Sequence, residues 1–293
     1  MKIITVLIIS SKIDSASENM KKGLLEKSLW DEIDTFNGNK AYRNSNMNDV
    51  IIVTINDNKI KHENIENEVK EKLKINPKVA IFLSRHRSKT GEPTLTTHPI
   101  GNFTEALFGG IEKTLSISSP KLMTQFLRIM KKNADKNKLY HNICFEVTHH
   151  GPYMSIPTFY IEVGSTDEEW IKQKPANILA ESLLQLLEKY HYEDDFKDDI
   201  PVLVGVGGGH YAPRFTDVAL EKKIAFGHMI PNYQIKKGVI NEEMIEKTIK
   251  ATPNFNGIYI HKKSMKKSEV TTLKNWFKEK DIKVFSSLEL PTL

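Results

Sequence analysis

Thiols are almost absent from this chain. Cys144 is the single cysteine in 293 residues, which excludes an internal disulfide framework and any zinc site built from several thiolates. Long apolar runs are missing as well. The run Ile3–Ile9 has seven residues, too short for a membrane span, lacks a small-residue cleavage pattern and reads as a first buried strand. These absences predict a cytoplasmic protein with no membrane partner. Familiar catalytic signatures are missing too: no His-Glu-x-x-His pair, no Gly-x-Ser-x-Gly elbow and no Gly-Lys-Ser/Thr of a phosphate loop. No internal repeat or low-complexity tract is present.

What is there suits a globular chain. Apolar residues make up 39% and charged residues 27%, too apolar for disorder. The net charge of +5 is below that of a nucleic-acid coat protein, so no DNA partner is expected, yet it allows an anionic partner on part of the surface. Lysines cluster twice, at Lys131, Lys132, Lys136 and Lys138 and at Lys262, Lys263, Lys266 and Lys267. By themselves such clusters read as solvated faces.

Short β-branched runs alternate with longer amphipathic ones. Strands are expected at Ile3–Ile9, Val50–Ile55, Val79–Leu83, Ile143–Thr148, Thr158–Val163, Val202–Val206, Ile224–His228, Gly257–Ile260 and Lys283–Ser286. Helices are expected over Asn64–Lys74, from Ser119-Pro120, from Ser165-Thr166 with a break at Pro175, and from Asn241 and Ser268. The alternation predicts an α/β fold with a mixed, largely parallel sheet flanked by helices. One catalytic domain over residues 1–293 is expected, with the polar, Asn-rich stretch Asp31–Asp49 as an insert and surface loop.

Four segments carry the chemistry. The first, Ser84-Arg85-His86 through Thr97-His98-Pro99-Ile100-Gly101-Asn102, follows a buried strand, where sites form in α/β sheets. The second is Glu146-Val147-Thr148-His149-His150-Gly151-Pro152. A regular strand would place Glu146, Thr148 and His150 on one face, leaving His149 as either a second functional group or a core histidine. In the third, Glu162 lies inside an apolar strand and needs a cation, a hydrogen bond or a proton. In the fourth, Gly207-Gly208-Gly209 precedes His210 and Arg214, and three glycines after a strand suit an anion nest or oxyanion hole. Five of the ten histidines, His86, His98, His149, His150 and His210, fall in these segments. Imidazole with carboxylate is a ligand set for zinc at a hydrolytic site.

These four motifs, in order and with Glu162-Val163-Gly164-Ser165-Thr166 and Trp170, resemble the archaeal and plant type of D-aminoacyl-tRNA deacylase. The resemblance implies a fold similar to phosphorylases and peptidyl-tRNA hydrolases, and hydrolysis of the ester joining a D-amino acid to the 3′ end of mischarged tRNA. It also implies zinc, one or two ions per chain. On that footing His86, His98, His150, Glu162 and His210 are expected as metal ligands, and His86, His98, His150, His210 and Glu146 as catalytic groups. Gly207, Gly208, Gly209, Arg214, Thr97 and Asn102 are expected to contact substrate. The lysine clusters would meet the tRNA backbone, and a monomer or small homo-oligomer is expected. The alternatives are a metal-independent deacylase assisted by the tRNA's own 2′-hydroxyl, a phosphorylase- or peptidase-like hydrolase of a small substrate, and a non-catalytic tRNA-binding module.

Overall fold

Buried β-branched strands build two sheets. The computed structural model describes residues 5–47, 49–192, 197, 200–238 and 240–293. The larger sheet holds β1 (Thr5–Ser11), β2 (Trp30–Phe36), β3 (Asn39–Asn44), β4 (Val50–Ile55), β5 (Pro77–Arg87), β6 (Thr94–His98), β7 (Asn142–Phe145) and β8 (Thr158–Ser165). Their order is β2-β3-β4-β1-β5-β8-β6-β7. Strands β4, β1, β5 and β8 run parallel, whereas β6 runs antiparallel to β8 and parallel to β7. A second, wholly parallel sheet holds β9 (Val202–Val206), β10 (Ala225–Ile230), β11 (Phe255–Ile260) and β12 (Val284–Phe285) in the order β10-β9-β11-β12. The fold is thus mixed and largely parallel, as the alternation predicted.

The helices are α1 (Ser15–Lys27), α2 (Ile65–Leu73), α3 (Pro120–Lys136), α4 (Asp167–Trp170), α5 (Gln173–Leu187), α6 (Pro213–Glu221), α7 (Asn232–Lys236), α8 (Glu242–Lys250) and α9 (Lys267–Glu279). Strands β1 and β4 are buried along their whole length because helices cover both faces of a parallel sheet. Period-two alternation sorts their side chains. Val6 and Ile8 join a core with Leu24, Phe126 and Leu179, which continues to Leu203 and Phe226 of the second sheet. Leu7 and Ile9 face Ile65 and Val69 of α2. Truncating a fully buried ring such as Phe126 to alanine would cost about 3–5 kcal/mol.

Four expectations need correction. The stretch 31–49 is not a loop: most of it forms the β2–β3 hairpin at the sheet edge, while Asn48 lies outside the described residues. Asn37-Gly38 makes its turn with φ of 51° and 77°, the pairing that suits a two-residue hairpin loop. Strand β7 ends at Phe145, three residues short of Thr148. Pro175 does not break a helix but sits in the first turn of α5, where its missing N–H costs nothing. Helix α9 is capped from Lys266, whose N–H donates to Glu269 at 2.7 Å, rather than from Ser268. Of the first strand, residues 3 and 4 lie outside the described residues.

Candidate active site

Sheet register gathers the first three groups. Strand β8 lies between β5 and β6, and Glu162 on it stands opposite Ser84 in β5 and Thr96 in β6. His86 and His98 lie two residues further along those strands, so period two puts both on the face that carries Glu162. Gly164 is opposite His86, where a Cβ would come within 2.3 Å of Thr94 Oγ1 and 3.3 Å of His86 Cβ. Only glycine lets these strands meet there.

Glu146 enters from the end of β7, with its N–H donated to Thr97 O at 3.1 Å. Its side chain is fully buried and Oε2 lies 2.9 Å from His210 Nε2, 3.3 Å from His86 Nδ1 and 3.5 Å from His149 Nε2. His86 Nδ1 is also 3.3 Å from Glu162 Oε2, and His98 Nε2 is 3.7 Å from the same oxygen. Because the strand ends early, the question of His149 against His150 resolves in favour of both. Their ring centroids lie 4.2 Å and 4.9 Å from that of His98, and His150 adopts φ of 44°.

Three of these rings are aimed by main chain. His98, His149 and His150 place Nδ1 at 3.1, 2.8 and 2.6 Å from the carbonyls of Pro99, Val147 and Gly151. Donation from Nδ1 leaves each Nε2 with its lone pair free, the tautomer a metal needs. Ligand atoms of His98, His149 and His150 lie within 4.8 Å of one another, as do those of His86, Glu146 and His210, and of His98, Glu146 and Glu162. Glu146 Oε1, His98 Nε2 and the Tyr160 hydroxyl are buried without hydrogen-bond partners. Buried polar atoms left open around a carboxylate–imidazole cluster fit a divalent cation.

Electrostatics agree with that need for positive charge. Burial opposes a proton on His86, but Glu162 and Glu146 outweigh it and hold the imidazole up to about 9. His98 is likewise raised against its burial by Glu162 and Glu146. Glu162 and Glu146 stay below the usual carboxylate range despite burial, because imidazoles surround them. Burial and the neighbouring His98 push His150 down to about 4, and His149 is lowered for the same reasons. Without another cation, protons on His86 and His98 compensate the two carboxylates.

His86, His149, His150, His210 and Glu162 line a cavity of about 360 Å³, together with Asp14, Lys59 and Arg85. Lys59 and Asp14 form a buried ion pair, and Asp14 also accepts the N–H of Arg85 at 3.0 Å and caps α1 through Ser17 N–H. Sequence reasoning passed over this pair. Its members are 45 residues apart on a loop and a 3-10 turn, with no local pattern to mark them. Tyr211, whose hydroxyl lies 3.3 Å from His86 Nε2, was also passed over, although it adjoins His210.

Other expected residues sit elsewhere or are engaged. Thr97 Oγ1 donates to Tyr160 O at 2.7 Å, tying β6 to β8, and Asn102 Nδ2 donates to Gly109 O at 2.8 Å. Two of the triglycine N–H groups are used internally. Gly207 donates to Ile230 O and Gly208 to Ser264 Oγ, each at 2.8 Å, so a nest of all three N–H groups is not open to a ligand. The turn instead delivers His210. Arg214, in the first turn of α6, points away from the imidazoles to Tyr259 (3.0 Å) and Ser287 (2.7 Å) and lines a separate cavity with His261, Lys262 and Lys263.

Comparison with known proteins gives this geometry a family. A family model described as D-aminoacyl-tRNA deacylase matches residues 73–285. A protein of that name from Thermococcus onnurineus is 38% identical over 89% of this chain and 92% of its own length. Another from Pyrococcus furiosus is 36% identical over 87% and 89%, and one from Methanosarcina acetivorans 34% over 97% and 93%. A crystal structure of a conserved protein of unknown function superposes over 100% of both chains with a TM-score of 0.87 at 28% identity. The chain therefore belongs to the D-aminoacyl-tRNA deacylase family of ester hydrolases.

Proposed function

We propose that this protein hydrolyses the ester between a D-amino acid and the 3′-terminal ribose of mischarged tRNA, releasing free amino acid and reusable tRNA. The observation that carries the reading is the convergence of His86, His149, His150, His210 and Glu162 on one cavity, with buried His98 and Glu146 in direct contact with those side chains. A module that only bound tRNA would have no use for two carboxylates kept ionised in the interior, since burying them is costly unless they act.

Zinc is the cofactor this donor set suits, held by His98, His149 and His150 with Glu162 beside them. When bound, it supplies Lewis acidity that polarises a carbonyl and makes a water more acidic. The second cluster manages protons. Glu146, ionised and 2.9 Å from His210 Nε2, orients that imidazole to accept a proton from the attacking water. His86, which Glu146 and Glu162 keep protonated, is placed to donate to the departing ribose oxygen through Nε2, the atom beside Tyr211. The balance is simple: one C–O bond forms from water, the ester C–O bond breaks, and one proton moves to the ribose.

Contact with the rest of the tRNA falls to the exposed cations. Arg214, Lys262 and Lys263 line one cavity outside the imidazole cluster, and phosphates would meet them there without reading sequence. Lys131, by contrast, already pairs with Asp135 at 2.5 Å, so its cluster contributes less. The deciding experiment is hydrolysis of D-tyrosyl-tRNA against L-tyrosyl-tRNA, with and without chelator and restored zinc. Release of the D enantiomer alone, lost on chelation and regained with zinc, is the expected result. Equal release of both enantiomers would overturn the proofreading reading, and full activity after chelation would overturn the metal.

A further inference from the structure

One large aromatic ring stands unburied at the mouth of the catalytic cavity. Phe108 is 66% exposed yet lines the cavity that holds His86, His149, His150 and His210. Ile13, 55% exposed, lines it too, beside Ile60. An exposed ring on a loose loop would mean little, because single apolar residues on a surface are normal. This loop is not loose. Phe108 O accepts the Gly151 N–H at 3.1 Å, Gly109 O accepts Asn102 Nδ2 at 2.8 Å, and Gly110 N–H donates to Glu63 at 2.7 Å. Gly109 and Gly110 take φ of 74° and 81°, and a Cβ on Gly109 would lie 1.5 Å from Ile60 O. The backbone is pressed onto its neighbour so closely that only glycine fits, which fixes the point from which the Phe108 ring projects.

One uncompensated cation shares the cavity with the ring. Lys59 is paired with Asp14 and Arg87 with Asp167, but the Arg85 guanidinium stacks over Trp170 at 5.0 Å with no carboxylate partner among the described residues. A solvent-facing aromatic ring on a fixed backbone, in one cavity with an unpaired guanidinium, suits an unpaired nucleobase flanked by phosphate. Single-stranded ends are bound in this way, by stacking on aromatic side chains within a basic groove. We propose that Phe108 is the stacking platform for the terminal nucleobase at the acylated end of the tRNA, fixing the ester over the imidazole cluster. The proposal rests on the deacylase reading for its ligand, and Phe108, whose ring has no group to donate or accept a proton, is a positioning residue.

The test compares Phe108→Ala, Phe108→Trp and, as a control on the same loop, Leu107→Ala, a change at an exposed residue outside the cavity lining. Steady-state hydrolysis of D-tyrosyl-tRNA is measured for each, together with tryptophan fluorescence of Phe108→Trp on titration with the unacylated trinucleotide CCA, the wild-type chain serving as blank. Loss of a stacked base should raise KM for Phe108→Ala roughly tenfold or more with a much smaller change in kcat. Phe108→Trp should restore KM, Leu107→Ala should leave it unchanged, and CCA should quench the introduced tryptophan. An active wild type whose KM is indifferent to Phe108→Ala, with no quenching, overturns the platform alone. Quenching by CCA in a protein that releases no D-amino acid keeps the platform and sinks the deacylase reading instead. Self-association that Phe108→Ala abolishes while KM stays at the wild-type value would assign the ring to contact between copies and overturn the proposal.

Discussion

Two regions of this molecule concentrate charge, and they do so by opposite rules. In the imidazole basin, Glu146 and Glu162 are buried and, among the described residues, every ion-pair partner of their oxygens is a histidine. In the cavity around Arg214, cations face cations: Arg214 and Lys263 depress His261 beyond what burial does, and Lys262 depresses Lys274. Water screens the second arrangement far more than the buried carboxylates of the first. Position is therefore exacting in the basin and forgiving in the cavity, which is the division expected between chemistry and backbone docking.

The sharpest way to break that contrast is inside the basin. His98→Ala should remove zinc from the purified protein and lower turnover by about 10³–10⁴, read by atomic emission and single-turnover hydrolysis. Retained metal with normal turnover would dissolve the distinction. His210→Ala comes next. Its ring is part-exposed, so circular dichroism should be unchanged while turnover falls by about 10²–10³.

The acid–base behaviour offers a graded test. His98 is held above its ordinary value by Glu162 and Glu146 despite its burial, so near neutral pH it carries a proton that must leave before its ring can hold an ion. Zinc affinity should rise as the pH is raised above the ordinary imidazole value of 6.5, by roughly tenfold per unit for each proton released. Calorimetry in buffers of different ionisation enthalpy measures the release, and a pH-independent affinity would show that the imidazoles are already neutral. The smallest effect belongs to the cavity. The double change Lys262→Ala, Lys263→Ala should flatten the plot of log affinity for tRNA against log salt by about 0.7–0.9 for each phosphate no longer neutralised, leaving kcat alone. An unchanged slope would move the docking surface elsewhere.

How far the sequence could be read follows from the same physics. Strands β4 and β9 were legible to the residue because an unbroken apolar run has one reading when both faces are covered. The β2–β3 hairpin was not, since an edge strand half in water is polar on its open face, and only Asn37-Gly38 announced it. Within the site, the histidines stood out because rare polar residues clustered at strand ends. Arg214 was expected to contact substrate, but the sequence could not show that Pro213 starts α6 and directs its side chain to Tyr259 and Ser287 rather than toward His210. Thr97 and Asn102 show the other limit, as a polar side chain in a motif can be engaged entirely by main-chain carbonyls. Asp14 and Lys59 are invisible to any local pattern, because only folding makes them neighbours.

The donation from Nδ1 of His98, His149 and His150 to peptide carbonyls has a wider consequence. Rings steered by other side chains can be swung off target by a single substitution nearby. These three take their bearing from the course of the chain itself, which every amino acid shares. The surroundings can therefore be rewritten extensively while the three lone pairs keep their aim, and an engineer changing substrate preference could rebuild the walls and leave the bearings undisturbed.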